Sequence, residues 1–313
     1  MNPRATEIRD TLLLSAATVL GVLVSPGLAI IGLPLVAAGV AGLAYRGRIV
    51  NAAIAMAIGV AAVSVVSLTD LIYVIPALAA VMFAVVALSR IDVQWVGAPV
   101  VLVLSLAGAA HEYVVMRAAH ETPLSFANRV VSLMSNGQPL NAATQQTNRE
   151  LANLFVTLMP TEFFFAGFLT TIAVILAIAW AAKRSGRTLK VSPLARLDLT
   201  PHMLWPFILG LLALAASYGP VPYASTLSTV GLNLLLCTRA LFALQGFAVA
   251  AGVLDRTGVG LGGRIFVLAA LAALDVFTLS VSLLGLLDFW INFRRLPRDG
   301  ATPPSPTTPT WDR

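Results

Sequence analysis

IVNAAIAMAIGVAAVSVVSL, residues 49–68, runs for twenty positions without an ionisable side chain. A helix crossing the hydrocarbon core of a bilayer needs about 20 mainly apolar residues. Comparable runs flank it on both sides. Residues 11–24 are short, and 28–44 follow the break at Pro26-Gly27. Residues 71–88 contain Pro76, and 93–115 carry His111 and Glu112 near their end. Residues 154–182 include Pro160 and Glu162, and 203–217 contain Pro206. Residues 223–254 are too long for one straight span and hold Arg239, while 265–291 hold Asp275 and Asp288. The runs predict an all-α, polytopic transmembrane helical bundle of eight or nine spans occupying residues 1–296.

Composition demands the same solvent. Of 313 residues, 58% are hydrophobic and 11% charged, against roughly 45–50% and 25% in soluble domains. A soluble fold of this size cannot hide that excess. The charge of +6 and the pI near 10.1 would raise nucleic-acid binding in a soluble chain. Here the basic residues sit between apolar runs, so they report topology, with contact to anionic head groups secondary. Cys237, the one cysteine, excludes an internal disulfide and a thiol-rich metal site. Residues 4–25 have a signal-like shape, but further apolar runs follow at once, so they read as the first span.

Lys and Arg mark the cytoplasmic loops of membrane proteins. Arg4 and Arg9 precede the first run, Arg46 and Arg48 follow the second, and Arg90 follows the fourth. Lys183, Arg184, Arg187, Lys190 and Arg196 follow the sixth. The loops at Asp70 and at 218–222 have none. The alternation places the N-terminus and the loop 183–200 in the cytoplasm, as expected of a bacterial inner-membrane protein. Counted onward it leaves Arg294, Arg295 and Arg298 outside, against the rule. A miscounted late helix, with a cytoplasmic C-terminus, removes the conflict.

Two segments are not spans. Residues 120–153 are polar, yet Phe126, Val130, Leu133 and Met134 fall on one helical face. That face fits an interfacial amphipathic helix or an ordinary loop helix. Residues 297–313, with Pro303, Pro304, Pro306 and Pro309 among Thr and Ser, are expected to be a disordered tail. No internal repeat is visible.

Ionisable residues at mid-membrane cost about 2.5–3.5 kcal/mol on insertion scales, so something must offset them. Glu162, Asn233, Arg239, Gln245, Asp275 and Asp288 are therefore the candidate ligand-binding residues, with Arg239 pairing Asp275 or Glu162 across helices. A purely structural pair, or snorkelling to an interface, is the competing reading. Ala53, Ala57 and Ala61, and Ala38 with Gly42, are spaced for close helix packing. His111-Glu112 fails as a zinc motif because the second histidine position is Val115. No nucleophile elbow, phosphate loop or paired-carboxylate motif appears, so no enzyme activity, metal or cofactor is expected. The glycines at 258, 260, 262 and 263 form a connector.

Gln245-Gly246, the terminal GLLDFW at 285–290, Phe293-Arg294-Arg295, and Pro160 and Pro206 at their helix starts resemble the DUF2232, or YybS-like, family of bacterial membrane proteins. The resemblance is best from about residue 155 to 296. It implies a distant similarity to the substrate-binding components of energy-coupling-factor vitamin transporters. That in turn implies a bundle that binds a small solute and works with another membrane protein or an energising ATPase module. Asp288, seven residues before Arg295, reads more simply as a partner for Arg239 or Arg264. The leading functional expectation is solute binding or transport. The rival is a non-transporting scaffold or assembly factor that docks a partner protein.

Overall fold

The computed structural model describes residues 3–134, 142–189 and 192–296; the proline-rich tail lies outside them. Regular structure among these residues is entirely helical. Its elements are α1 (Pro3–Val24), α2 (Ala29–Tyr45), α3 (Ile49–Val66), α4 (Leu71–Ala87), α5 (Val93–Ala118), α6 (Pro123–Met134), α7 (Ala142–Arg184), α8 (Leu204–Ser217), α9 (Ala224–Arg256), α10 (Leu261–Thr278) and α11 (Ser280–Ile291). Single 3-10 turns lie at Leu194–Arg196 and Pro201–Met203. Five helices are long and apolar enough to cross a bilayer: α3, α5, α7, α9 and α10; four shorter apolar helices accompany them. The chain divides into two units, Met1–Val191 with Leu204–Cys237, and Ser192–Met203 with Thr238–Arg313.

In the first unit, glycines set how closely helices approach. A Cβ on Gly32 would overlap the backbone of Ser25, and one on Gly39 would strike Thr18 and the Leu14 carbonyl. In lipid, helices gain no hydrophobic force from each other, so such close backbone packing is what holds them. Leu33, Leu43, Leu88 and Ile178 fill the core behind this contact. In α3 the buried stripe is Ala52, Ala55, Gly59 and Val63, with Gly59 against Val22. Ala53, Ala57 and Ala61 are exposed. Two residues turn a helix by roughly 200°, so that alanine row faces almost directly away from the packed stripe. Gly42 is buried against Leu14 in α2, and Ala38 is half-buried.

Ion pairs mark the ends of this unit. Arg46 donates to Asp10 at 3.1 Å, and Arg48 pairs with Glu7 and Thr11. They tie the α2–α3 loop to the start of α1. Asp70, a helix away, pairs with His111 at 3.0 Å. The loops that the charge pattern places on opposite sides are thus held at opposite ends of α3.

Helix α7 has 43 residues, about 64 Å at 1.5 Å per residue, roughly twice the hydrocarbon thickness. Its first turns support α6. Ala127 and Val131 of α6 are buried against Ala152, Phe155 and Val156, and the Phe126 and Phe155 rings lie 6.4 Å apart. The face that protein covers is centred on Ala127 and Val131; of the face predicted from spacing, Phe126 and Val130 are half-buried at its edge and Leu133 is exposed.

The late runs are cut differently from the hydropathy pattern. All of the run 223–254 but Tyr223 falls in one 33-residue helix, α9. Residues 265–291 are two helices, broken where Leu279 adopts a left-handed φ of 57°. Helix α10 begins beside the end of α9, where Arg264 pairs with Asp255. It then runs back along α9 until Asp275 meets Arg239. After the break, α11 crosses α9 at Gly246 and Gly285. Beyond α11, Arg294 packs against Gly252 and its carbonyl accepts from Arg256. Both feet of the α10–α11 pair therefore lie at the Arg256 end of α9.

Candidate functional site

The polar residues of the second unit form two sites, one at the foot of the α10–α11 pair and one at its tip. Close packing makes the foot possible. A Cβ on Gly285 would overlap the Phe242 carbonyl, and one on Gly246 would overlap Val281. With no side chains in the way, α9 and α11 bring Gln245 and Asp288 within 2.9 Å. Both are fully buried.

A carboxylate without water needs several donors. Asp288 accepts from Gln245, from Arg294 at 2.8 Å, and from the Phe293 N–H at 2.8 Å. Gln245 uses its remaining capacity on the connector 192–203. It donates to Asp198 at 2.8 Å and accepts from the Leu199 N–H at 3.1 Å. The Arg294 side chain, 3% exposed, bonds the Ala195 and Leu197 carbonyls and reaches Asp198 at 3.3 Å. Its Nε alone has no partner among the described residues. The network is a clamp: it ties the connector, α9 and the end of α11 together and leaves almost no polar capacity for a ligand.

The tip is less closed. The Asp275 carboxylate lies at the start of α11, accepting from the Ser282 N–H and Oγ, both at 2.8 Å. A negative charge at a helix N-terminus is electrostatically favoured. Arg239 donates to the Asp275 carbonyl at 2.7 Å, while its ion pair with the carboxylate is longer, at 3.6 Å. Each half of the break thus has a charged cap. The Arg239 side chain is still 33% exposed.

Residues 96–289 match a family described as predicted membrane protein, DUF2232. The chain belongs to that family. No curated protein and no solved structure matches it. The DUF2232 match takes in Arg239, Gln245, Asp275 and Asp288 and ends before Arg294.

Elsewhere in this DUF2232 chain, Asn233 is occupied within the first unit. Its Oδ1 accepts from the Thr161 N–H and hydroxyl, at 3.0 and 2.6 Å, and its amide donates to the Thr157 and Thr229 carbonyls. Glu162, next to Thr161, is exposed on α7. Two surface grooves in that unit, of about 340 and 440 Å³, involve none of the six candidate residues. The first is wholly apolar, between Pro76 and Pro99. The pairings expected for Asp288 fall elsewhere: its cation is Arg294, Arg264 pairs with Asp255, and Arg239 with Asp275. Arg294 and Asp198 were absent from the sequence-derived set because both lie outside apolar runs. The short spacing from Asp288 to Arg294 was the available signal.

Proposed function

We propose that this DUF2232 protein binds a small solute in the membrane and takes part in its transport, with Arg239 and Asp275 as the contact residues. The observation that carries this reading is the broken helix pair. A charged pair, a partly exposed Arg239 on a buried Asp275, sits where α10 and α11 separate, halfway along α9. Transporters use such discontinuous helices because their ends present unpaired backbone groups and dipoles to a solute near mid-membrane. Of the six candidate residues, Gln245, Asp288 and Asn233 have their polar groups engaged by protein, which leaves the tip pair as the better ligand site. Glu162 stays a candidate only as an exposed carboxylate on α7.

The same geometry supports a topology of eight crossings: α1 to α5, α7, α8 and α9, with α10–α11 entering and leaving on one face. Arg256, Arg264, Arg294 and Arg295 then share the side of the 183–200 loop, and the charge rule holds throughout. With the N-terminus cytoplasmic, the C-terminal segment is cytoplasmic too, as fits a bacterial inner membrane. Any ATP-driven role would need a separate energising ATPase module.

A scaffold that docks a partner protein is the second reading. It is favoured by α10, almost none of which is buried within the chain. Native mass spectrometry of the full chain, released from mild detergent, separates the two. The solute reading expects a retained small molecule that disappears in R239Q and D275N variants of unchanged elution profile. A stoichiometric protein partner with no small molecule would replace it with the scaffold reading.

A further inference from the structure

Lipid cannot hydrogen-bond a peptide group, so irregular backbone at membrane depth persists only inside protein or facing water. The break at Leu279 presents that problem. The last carbonyls of a helix lack intrahelical partners, and among the described residues those of Val276, Phe277 and Thr278 accept no backbone hydrogen bond. Nor are they packed away. Phe277 is 85% exposed, and Val276, Thr278, Leu279 and Ser280 are exposed beside it. The hydroxyls of Thr278 and Ser280 bond each other at 2.9 Å, and Thr278 also donates to the Leu274 carbonyl. Neither reaches the three carbonyls. Along α9, this tip lies between the levels of Arg239 and Gly246, well inside its apolar stretch.

We propose that the tip, residues 276–280, faces a water-filled opening reached from the membrane face opposite the Arg256 foot. Water supplies the donors that the three carbonyls lack, and it hydrates the exposed part of Arg239. The foot cannot be the route in. The side chains of Gln245, Asp288 and Arg294 close that end with direct bonds. Asp275, Ser282 and Arg239 then form the floor of a vestibule, and a solute would meet them without crossing lipid. The inference rests on the re-entrant reading of α10–α11 but requires no bound solute.

Cysteine accessibility tests it. In the full chain carrying Cys237→Ser, single variants T257C, T278C, R295C and F266C are treated with a membrane-impermeant maleimide in vesicles of each orientation. T257C and R295C report the two feet, and the exposed apolar site F266C reports lipid. The expected result is labelling of T257C and R295C from one face and of T278C from the other. T278C should react about tenfold faster than F266C, because a lipid-facing thiol has no access to an aqueous reagent. Silence of T278C from both faces, with full labelling after denaturation, would overturn the vestibule while leaving the feet in place. Labelling of T257C and R295C from opposite faces would overturn the re-entrant reading itself. Should T278C fail to elute as the parent does, S280C makes the same measurement.

Discussion

Arg294 and Asp288 form an ion pair at 2.8 Å in which the Asp288 side chain is fully buried and the Arg294 side chain nearly so. Removing one partner of a buried pair strands the other charge, at a cost of about 3–5 kcal/mol. R294A should therefore lower stability strongly in detergent-based thermal unfolding. D288L/R294M, which removes both charges, should be less damaged than R294A alone. Equal losses in the single and double variants would mean the pair is not coupled.

The contact between Gly246 and Gly285 predicts a position-specific sensitivity to one methyl group. G285A must push α11 off the Phe242 carbonyl, and overpacking of this kind costs roughly 1–3 kcal/mol. Gly262, also helical, has nothing near its would-be Cβ. G262A should be neutral or stabilising by up to about 1 kcal/mol, since alanine is the better helix former. Unfolding midpoints of the two variants, measured side by side, check the contrast.

Leu279 occupies a left-handed conformation that costs an L-residue about 1–2 kcal/mol. L279G should hold or raise stability despite losing a leucine side chain, since Leu279 is only partly covered, at 41% exposure. L279P should be severely destabilised, because its N–H bonds the Asp275 carbonyl at 3.1 Å and its φ is fixed negative. If both variants unfold at the parent temperature, the break is not held as described.

Asn233 joins α9 to α7 through Thr161 and Thr157. N233A leaves the buried Thr161 N–H and hydroxyl without their shared acceptor, at about 1–3 kcal/mol. T161V removes one of these donors together with its need, so its loss should be the smaller in the same unfolding assay.

Much of this architecture was legible because lipid enforces a simple rule, that apolar length means helix. The break at Leu279 was not. Leu279 and Ser280 continue the apolar run, and no proline or glycine marks the turn, which is held by Asp275, Ser282 and Arg239. On the proposed eight-crossing topology, the late charge conflict at Arg294 and Arg295 is the trace of that turn. The alanine row at 53, 57 and 61 misled for a related reason: spacing identifies a face, but only the partner helix decides which face is packed. Gln245 and Asp288 stood out as polar residues in apolar surroundings. Arg294 and Asp198 looked like solvated loop residues until the fold buried or clamped them.

The central claim is that α10 and α11 return the chain to where α10 began. Pulsed electron–electron resonance on spin-labelled pairs in the Cys237→Ser chain, reconstituted in nanodiscs, tests it directly. Thr257 and Arg295 should be close, since Arg256 bonds the Arg294 carbonyl at 3.3 Å. Thr257 and Thr278 should be separated by roughly the 27 Å length of α10. A distance from Thr257 to Arg295 longer than that from Thr257 to Thr278 would mean that α11 continues α10 across the membrane, and would contradict the account.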